Sequence, residues 1–186
     1  MSIVRTWGST SAERAEPFPC DPLIPTPDDE LYRAVTIAAP PAIVFRWLCQ
    51  LRVAPYSYDL LDNLGRTSPR TLTPGLDALA AGQRVMTIFR LVEFEPDHHL
   101  TVVLDRARAV FGDLAVTYRV TPDPAGSRLV VKMSVRRPRG VMRVVGSLLP
   151  AGDLVMMRKQ LLTLKRLAED QARRNVTTST SRNAAS

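Results

Sequence analysis

The amino-acid sequence predicts an α+β domain in which a long C-terminal helix packs on one face of an antiparallel sheet. Apolar residues alternate with a period of two from Met86 to Arg136, as in strands that are half buried in a sheet. The separators between these runs are short enough for hairpins. From Asp153 to Arg173 the apolar residues recur instead at steps of three and four, as on one face of a helix. A single long helix that follows a run of strands is expected to lie across their sheet.

The N-terminal segment is predicted to be an extended arm, residues 1–28. It has no periodic apolar face and is interrupted by five prolines: Pro17, Pro19, Pro22, Pro25 and Pro27. Trp7, Phe18 and Cys20 are its few anchoring residues. We therefore expect the arm to pack onto the main domain, residues 29–174.

The main domain is predicted to begin with a strand, Leu31–Ala38, which Pro40 and Pro41 end. The same prolines favour the start of a helix that carries Trp47 on its apolar face. The next stretch, 53–82, is rich in turn formers. It contains two candidates for short helices, at Tyr58–Asn63 and Gly75–Ala81.

The period-two segment predicts at least four strands, one of them His99–Leu104. In the other three, the residues expected to share a face are Met86, Ile88, Arg90, Val92 and Phe94, then Leu114, Val116, Tyr118 and Val120, then Leu129, Val131, Met133 and Val135. The C-terminal helix follows these strands, with Met157 and Leu161 in its apolar stripe. The polar end of the chain, 175–186, is expected to be a disordered tail.

Composition indicates a soluble, cytoplasmic protein. The chain has 186 residues, 45% of them apolar, which is enough for a real core. It has no apolar run long enough to span a membrane and no apolar segment typical of a signal peptide. Cys20 and Cys49 lack metal-ligand spacing, so we expect free thiols.

The charge distribution is uneven along the chain, although the net charge is +7. Residues 1–100 carry nine Lys/Arg and twelve Asp/Glu, whereas 101–186 carry sixteen and six. The densest basic cluster, 136–143, is compatible with an anionic partner. Aromatic residues are not interleaved with it, so we expect a solvated face and no nucleic-acid binding.

Three stretches resemble a known superfamily: APPAIVFRWLCQL after the first strand, YSYDLLDNLGRTSPR, and DLVMMRKQLLTLKRLAE near the end. In element order and in these stretches, residues 30–172 look like a bacterial SRPBCC protein of the START-like, helix-grip superfamily. That superfamily includes polyketide cyclases and birch-pollen-allergen-like proteins. The arm WGSTSAERAEPFPCD is similar to the N-terminal extension of one actinobacterial subgroup.

The resemblance implies a helix-grip fold, with a curved sheet wrapped around the C-terminal helix and a cavity for a small apolar ligand between them. It implies no particular reaction, because binders, carriers and enzymes share this fold without a common catalytic motif.

Polar residues on apolar faces are the candidates for the polar end of such a cavity. Arg90 would hold an anionic group if it faces inward, or reach solvent if its strand is an edge or is bulged. Tyr118 is either a core tyrosine with a hydrogen-bond partner or a ligand contact. Asp59 and Asp62 are candidates for a general base or a partner of Arg90, or else they cap a helix and form loop hydrogen bonds.

The complete set of predicted ligand-binding residues is Trp47, Tyr56, Tyr58, Asp59, Asp62, Arg90, Tyr118, Met133, Met157 and Leu161. No metal site is expected, because neighbouring residues such as His98 and His99 point to opposite faces of a strand. No cofactor is expected either, since nucleotide and phosphate fingerprints are lacking.

The sequence leaves three functions open. The first is a binding module for a small hydrophobic or aromatic molecule. The second is a polyketide cyclase or dehydratase-like enzyme that uses the same cavity. The third is an interaction protein that uses the basic C-terminal half, without stable membrane insertion. The oligomeric state is not predicted.

Overall fold

A computed structural model describes residues 3–56, 68–106, 108–138 and 149–183 of the chain. They contain a six-stranded antiparallel sheet with the order β1-β6-β5-β4-β3-β2. The strands are β1 Asp29–Ile37, β2 Arg84–Val85, β3 Phe89–Glu95, β4 His99–Leu104, β5 Asp113–Asp123 and β6 Gly126–Arg136. The curved sheet and the long C-terminal helix make this a helix-grip α+β fold, as the sequence predicts.

The alternation of side chains in β5 and β6 divides the sheet into an inner and an outer face. Val116, Tyr118 and Val120 of β5 point to the inner face and belong to the main hydrophobic core. Ala115, which directly precedes Val116, belongs to a second apolar cluster on the outer face together with Val130 of β6. Both faces are therefore covered, the inner one by helices and the outer one by the N-terminal arm.

Two helices cover the inner face. α3 spans Pro41–Cys49 and begins at the proline pair, as predicted. The C-terminal helix spans Leu149–Asn183 and packs on β1 and α3. It is longer than the sequence indicates, and the expectation of a disordered tail is wrong for residues 175–183. Local bonds continue the helix there, because Gln171 donates to the Asn175 side chain at 2.8 Å.

The N-terminal arm is not extended as predicted but contains two short helices, α1 Ile3–Thr6 and α2 Ser11–Ala15, and a 3₁₀ turn at Asp21–Leu23. A capping box starts α2, because the Thr10 hydroxyl accepts from the Glu13 backbone and the Glu13 carboxylate accepts from Thr10 N. This local pairing outweighs the weak helix tendency of a proline-rich segment.

Acidic residues of the arm pair with basic residues on the outer face of the sheet. Their pairs are Glu13 with Arg128 (2.6 Å), Glu16 with Arg119 (2.7 Å) and Asp21 with Lys132 (2.6 Å). The Arg119 guanidinium also stacks on the Phe18 ring, 3.9 Å from its centroid. The uneven charge of the sequence therefore has a structural reason, since an acidic arm lies on basic strands.

The free edge of β1 is covered by the arm and by the C-terminal helix. Ala34 N donates to the Trp7 carbonyl at 3.0 Å, which ties the arm to the strand. The Thr36 carbonyl accepts from Lys165 Nζ at 2.6 Å, and Ala38 N donates to Glu169 at 2.9 Å.

The connection between α3 and β3 differs from the prediction. Gly75–Ala81 forms turns rather than a helix, and Gly75 has a φ of +77° that ends any helical run. The candidate helix at Tyr58–Asn63 lies outside the described residues. Met86 and Thr87 have φ of 45° and 66°, so the strand predicted from Met86 is interrupted and β3 begins at Phe89.

Both cysteines are buried free thiols, as expected. Burial raises the pKa of the Cys49 thiol to about 12, and it also raises the pKa of Cys20. Among the described helices, none is long and apolar enough to cross a membrane.

Candidate functional site

The candidate site is the inner face of the sheet beneath the first half of the C-terminal helix. Met157 and Leu161 are buried there and join the core formed by the inner faces of the strands. Leu164 and Ala168, further along the same stripe, are also buried. Steps of three and four along the helix bring these four side chains onto the side that faces the sheet.

A hydrogen-bonded pair of polar side chains lies within this apolar layer. The Tyr118 hydroxyl donates to Gln160 Oε1 at 2.9 Å and lies 3.9 Å from the Met157 sulfur. Gln160 Nε2 donates to the Pro55 carbonyl at 2.6 Å and lies 3.4 Å from the Met86 sulfur. Tyr118 and Gln160 are 1% and 3% exposed, so the pair joins the sheet, the helix and the segment after α3 deep inside the molecule.

Tyr118 is thus a core tyrosine, and a helix side chain, Gln160, accepts the hydrogen bond of its hydroxyl. Sequence reasoning missed Gln160. A signal for it was present, because Gln160 is next to Leu161 and three residues after Met157, at the border of the apolar stripe.

The inner face also contains a buried arginine that the sequence reasoning passed over. Arg33 points to the same side of β1 as Val35 and Ile37, and it is only 1% exposed. Its Nη1 donates to the Tyr32 carbonyl at 2.8 Å. The period-two argument that selected Arg90 applies equally to Arg33 in the stretch LYRAVTI and would have identified it.

Arg33 and Tyr118 lie in one row across the sheet. Arg33 is paired with Val131 of β6, which is paired in turn with Tyr118 of β5. Because neighbouring strands are about 4.8 Å apart, the two backbone positions are separated by roughly 10 Å. The side chains of a cation and a phenol therefore belong to the same apolar face, on strands that are two positions apart.

Trp47 and Tyr56 form an aromatic corner beside this row. Their rings meet edge to face, with centroids 6.1 Å apart and an interplanar angle of 86°. Both residues are almost fully buried, and Tyr56 has a left-handed φ of 56°. Within the part of the chain that the structure describes, the Trp47 indole Nε1 has no hydrogen-bond partner.

Arg90 reaches solvent, which is the second of the two orientations that the sequence leaves open, and it does not face inward as a ligand contact would. Its side chain is 48% exposed and pairs with Asp105 at 3.5 Å. The interruption at Met86 and Thr87 changes the alternation, and a register shift between Leu91 and Glu93 changes it again. Leu91, and not Arg90, is the buried residue.

Four other predicted site residues are Met133, Tyr58, Asp59 and Asp62. Met133 is half buried and packs against the main core. Tyr58, Asp59 and Asp62 lie outside the described residues.

On the outer face, the buried cation Lys132 lies within a set of charged and aromatic groups. Its Nζ pairs with Asp21 at 2.6 Å and with Glu30 at 2.7 Å. Burial alone lowers the pKa of Lys132, but the hydrogen bonds to Asp21 and Glu30 outweigh it and raise the pKa above its ordinary value. Both carboxylates belong to the arm or to β1, so Lys132 holds the arm on the sheet and its charge is already paired.

His98 and His99 do not point to opposite faces, as the sequence argument assumed. Their Nδ1 atoms are 3.0 Å apart, because His98 belongs to the β3–β4 turn, in which Asp97 has a left-handed φ of 62°. Glu95 joins them, so the reason for rejecting a metal site is wrong.

A family model described as polyketide cyclase / dehydrase and lipid transport matches residues 29–169. No curated protein sequence matches the chain.

Several solved structures share the fold at low identity. A protein of Nitrosospira multiformis has 11% identity and a TM-score of 0.51, with 77% of this chain and 99% of that chain covered. The di-domain ARO/CYC StfQ from the steffimycin biosynthetic pathway has 14% identity and a TM-score of 0.50, with 77% of this chain and 51% of that chain covered. At these identities the likeness concerns the fold alone. The family match covers most of the chain, however, and the chain therefore belongs to the polyketide cyclase / dehydrase and lipid transport family.

Proposed function

We propose that the domain binds a small hydrophobic or aromatic molecule between the inner face of the sheet and the C-terminal helix. The observation that supports this most directly is the row in which Arg33 and Tyr118 lie on an otherwise apolar face. A fully buried cation has a high desolvation cost, which a protein tolerates where the cation has a structural or recognition role. The family description, which names polyketide and lipid chemistry, supports the same class of ligand.

The walls of the proposed site are the aromatic corner and the apolar stripe of the helix. Trp47 and Tyr56 form one side, Met157 and Leu161 form the roof, and Met133 lies at the strand side. Methionine side chains adapt to ligands of different shape, which suits a site for an irregular apolar molecule. Tyr58, Asp59 and Asp62 remain predicted contacts, whereas Arg90 is no longer part of the proposal.

Arg33 would give the site a preference for a ligand with one anionic oxygen. A guanidinium binds carboxylate, phenolate or enolate oxygens through charge-assisted hydrogen bonds, which are strong in a water-poor environment. We therefore expect an aromatic anion to bind more tightly than a neutral molecule of the same shape.

Two naphthalene probes test this preference: the anionic 8-anilinonaphthalene-1-sulfonate and the neutral N-phenyl-1-naphthylamine. Trp7→Phe leaves Trp47 as the only tryptophan, so quenching of its emission reports occupancy next to the site. Arg33→Met should weaken the anionic probe at least tenfold and leave the neutral probe within about twofold, because one charge-assisted hydrogen bond contributes ~1.5–3 kcal/mol.

Arg90→Met is the matched control, since it removes the same charge from an exposed position of the sheet. Arg33→Lys keeps the charge and serves if the methionine variant does not fold. Equal weakening by Arg33→Met and Arg90→Met would contradict a site at Arg33. Native mass spectrometry of the protein purified from its own host would then identify any natural ligand.

The second candidate is a polyketide cyclase or dehydratase-like enzyme that uses the same space. The family description favours it, because it names cyclases and dehydrases together with lipid transport. In this case the Tyr118 hydroxyl or a carboxyl from Asp59 or Asp62 would transfer protons while Arg33 stabilises an enolate. Turnover of a poly-β-ketone substrate that Asp59→Asn or Tyr118→Phe abolishes, with probe binding retained, would distinguish catalysis from binding.

An interaction protein that uses the basic half is the weakest of the three proposals. Arg119, Arg128 and Lys132 of that half pair with acidic residues of the arm. Their charge is thereby neutralised within the chain. We expect little binding to DNA or anionic vesicles at low ionic strength, and strong salt-dependent binding would revive this function.

A further inference from the structure

The β3–β4 turn contains a compact group of imidazole nitrogen and carboxylate oxygen atoms that lies apart from the proposed ligand site. Glu95 ends β3, His98 lies in the turn and His99 begins β4. His98 Nδ1 is 3.0 Å from His99 Nδ1 and 3.3 Å from Glu95 Oε2, and His99 Nδ1 is 3.7 Å from the same oxygen. We propose that these three residues bind a divalent transition-metal ion of the Zn²⁺ type.

The spacing of the three atoms agrees with one face of a tetrahedral zinc site. Zinc binds imidazole nitrogen and carboxylate oxygen at about 2.0–2.1 Å, so adjacent tetrahedral ligands are separated by roughly 3.3–3.4 Å. The three observed separations lie on both sides of this value. Small side-chain rotations would therefore suffice to enclose an ion, and the fourth position would be open to water.

A second carboxylate is placed to support the metal ligand His99. Glu93 Oε1 lies 3.3 Å from His99 Nε2, the ring nitrogen on the far side from the proposed ion. In metal sites a ligating histidine commonly donates its other N–H to a carboxylate, which fixes the tautomer and strengthens the ligand. Glu93, His99 and the ion would thus form a carboxylate–histidine–metal series.

The backbone holds the group in place before any ion binds. His98 N donates to the Glu95 carbonyl at 3.1 Å, and the His98 carbonyl accepts from Val120 N at 2.7 Å. Glu95 and His99 are directly opposite each other in the β3–β4 pairing. A preformed geometry reduces the entropy that binding must overcome.

Access also favours an ion at this turn. His99 is buried, but His98 and Glu95 are 46% and 64% exposed, so an ion can enter from solvent. The simpler account is that the two imidazoles only hydrogen bond to each other and to Glu95. That account does not require the Glu93 carboxylate behind His99, which a metal-ligating histidine commonly has.

Cobalt(II) and zinc titrations of the untagged full-length protein test the proposal. Co²⁺ reports geometry through its visible absorption, and tetrahedral binding should give an intense band that Zn²⁺ removes by competition. The chain contains only two histidines, so Co²⁺ should broaden the ring NMR signals of both. Because Cys20 and Cys49 are buried free thiols elsewhere, no thiolate-to-cobalt band should appear.

The variants separate ligands from supporting residues. His98→Ala and Glu95→Gln should each weaken Zn²⁺ binding by a hundredfold or more, and Glu93→Gln should weaken it by about 10–100-fold. Asp97→Asn, a carboxylate in the same turn that is not in the group, is the matched control and should change affinity less than threefold. The proposal is overturned if the wild type binds Zn²⁺ no tighter than ~1 mM, or if His98→Ala binds as tightly as Asp97→Asn.

Discussion

Replacing Gln160 tests the contact that joins the C-terminal helix to the sheet. Gln160→Leu removes the acceptor of the Tyr118 hydroxyl and the donor to the Pro55 carbonyl, at 2.9 and 2.6 Å. Depriving each buried polar partner of its hydrogen bond costs ~1–3 kcal/mol, and the added apolar side chain recovers about 1 kcal/mol. We expect the free energy of unfolding to fall by ~1–5 kcal/mol.

Urea denaturation followed by far-UV circular dichroism measures this change. Tyr118→Phe alone should also destabilise, whereas the double variant should cost at least ~1 kcal/mol less than the two single changes added together. Gln171→Leu, which removes a solvent-exposed hydrogen bond of the same helix, is the control and should stay within ~0.5 kcal/mol. Strict additivity, or a cost for Gln160→Leu equal to that of the control, would refute the inferred role of the pair.

Three further predictions concern the arm and a buried thiol. Burial raises the pKa of Glu13, but hydrogen bonds from Arg128 and from the backbone outweigh it and lower the pKa below its ordinary value. Glu13→Gln, which can keep the capping box, should therefore lower the free energy of unfolding by ~1–2 kcal/mol at pH 7. The wild type and the variant should become equally stable once the pH falls below the lowered pKa. A difference between their urea midpoints that persists in acid would contradict the charge pairing. Gly8 and Gly75 have φ of +75° and +77°, but a Cβ on Gly8 would lie 2.1 Å from a β1 carbonyl oxygen and one on Gly75 would meet nothing within 4 Å. Gly8→Ala should therefore cost about 1–3 kcal/mol more than Gly75→Ala in thermal denaturation, and equal costs would rule out the close approach of the arm. The Cys49 thiol, with its pKa raised to about 12, should react with a disulfide reagent at pH 8 roughly a thousandfold more slowly than an ordinary thiol until the protein unfolds; rapid labelling of the native protein would disprove its burial.

The regular part of the fold could be predicted from local patterns. β5 and β6 have clean alternation, and the C-terminal helix has a continuous stripe from Met157 to Ala168, so their type and packing side follow from the period alone. The free thiols followed from composition. In the strands and the helix alike, the large apolar residues recur on one face at the period of the element, and this recurrence is what makes periodicity informative.

The site was predicted less well, because its residues depend on where each strand begins. Two residues with positive φ, Met86 and Thr87, interrupt the alternation before Arg90, and no local pattern revealed them. Arg33, on an uninterrupted strand, could have been found by the same rule. Gln160 and the His98–His99 pair depend on contacts between elements, which period counting does not contain.

The covering of β1 has a consequence for how the protein behaves in solution. An outer strand with unpaired backbone groups is a template on which a second chain can add its own strand. Here the outward backbone groups of Ala34, Thr36 and Ala38 are hydrogen bonded to Trp7, Lys165 and Glu169, respectively. The opposite edge, β2, has only two residues. The arm and the helix thus guard the sheet against edge-to-edge aggregation, and a chain that begins after residue 28 should lose that protection at Ala34 first.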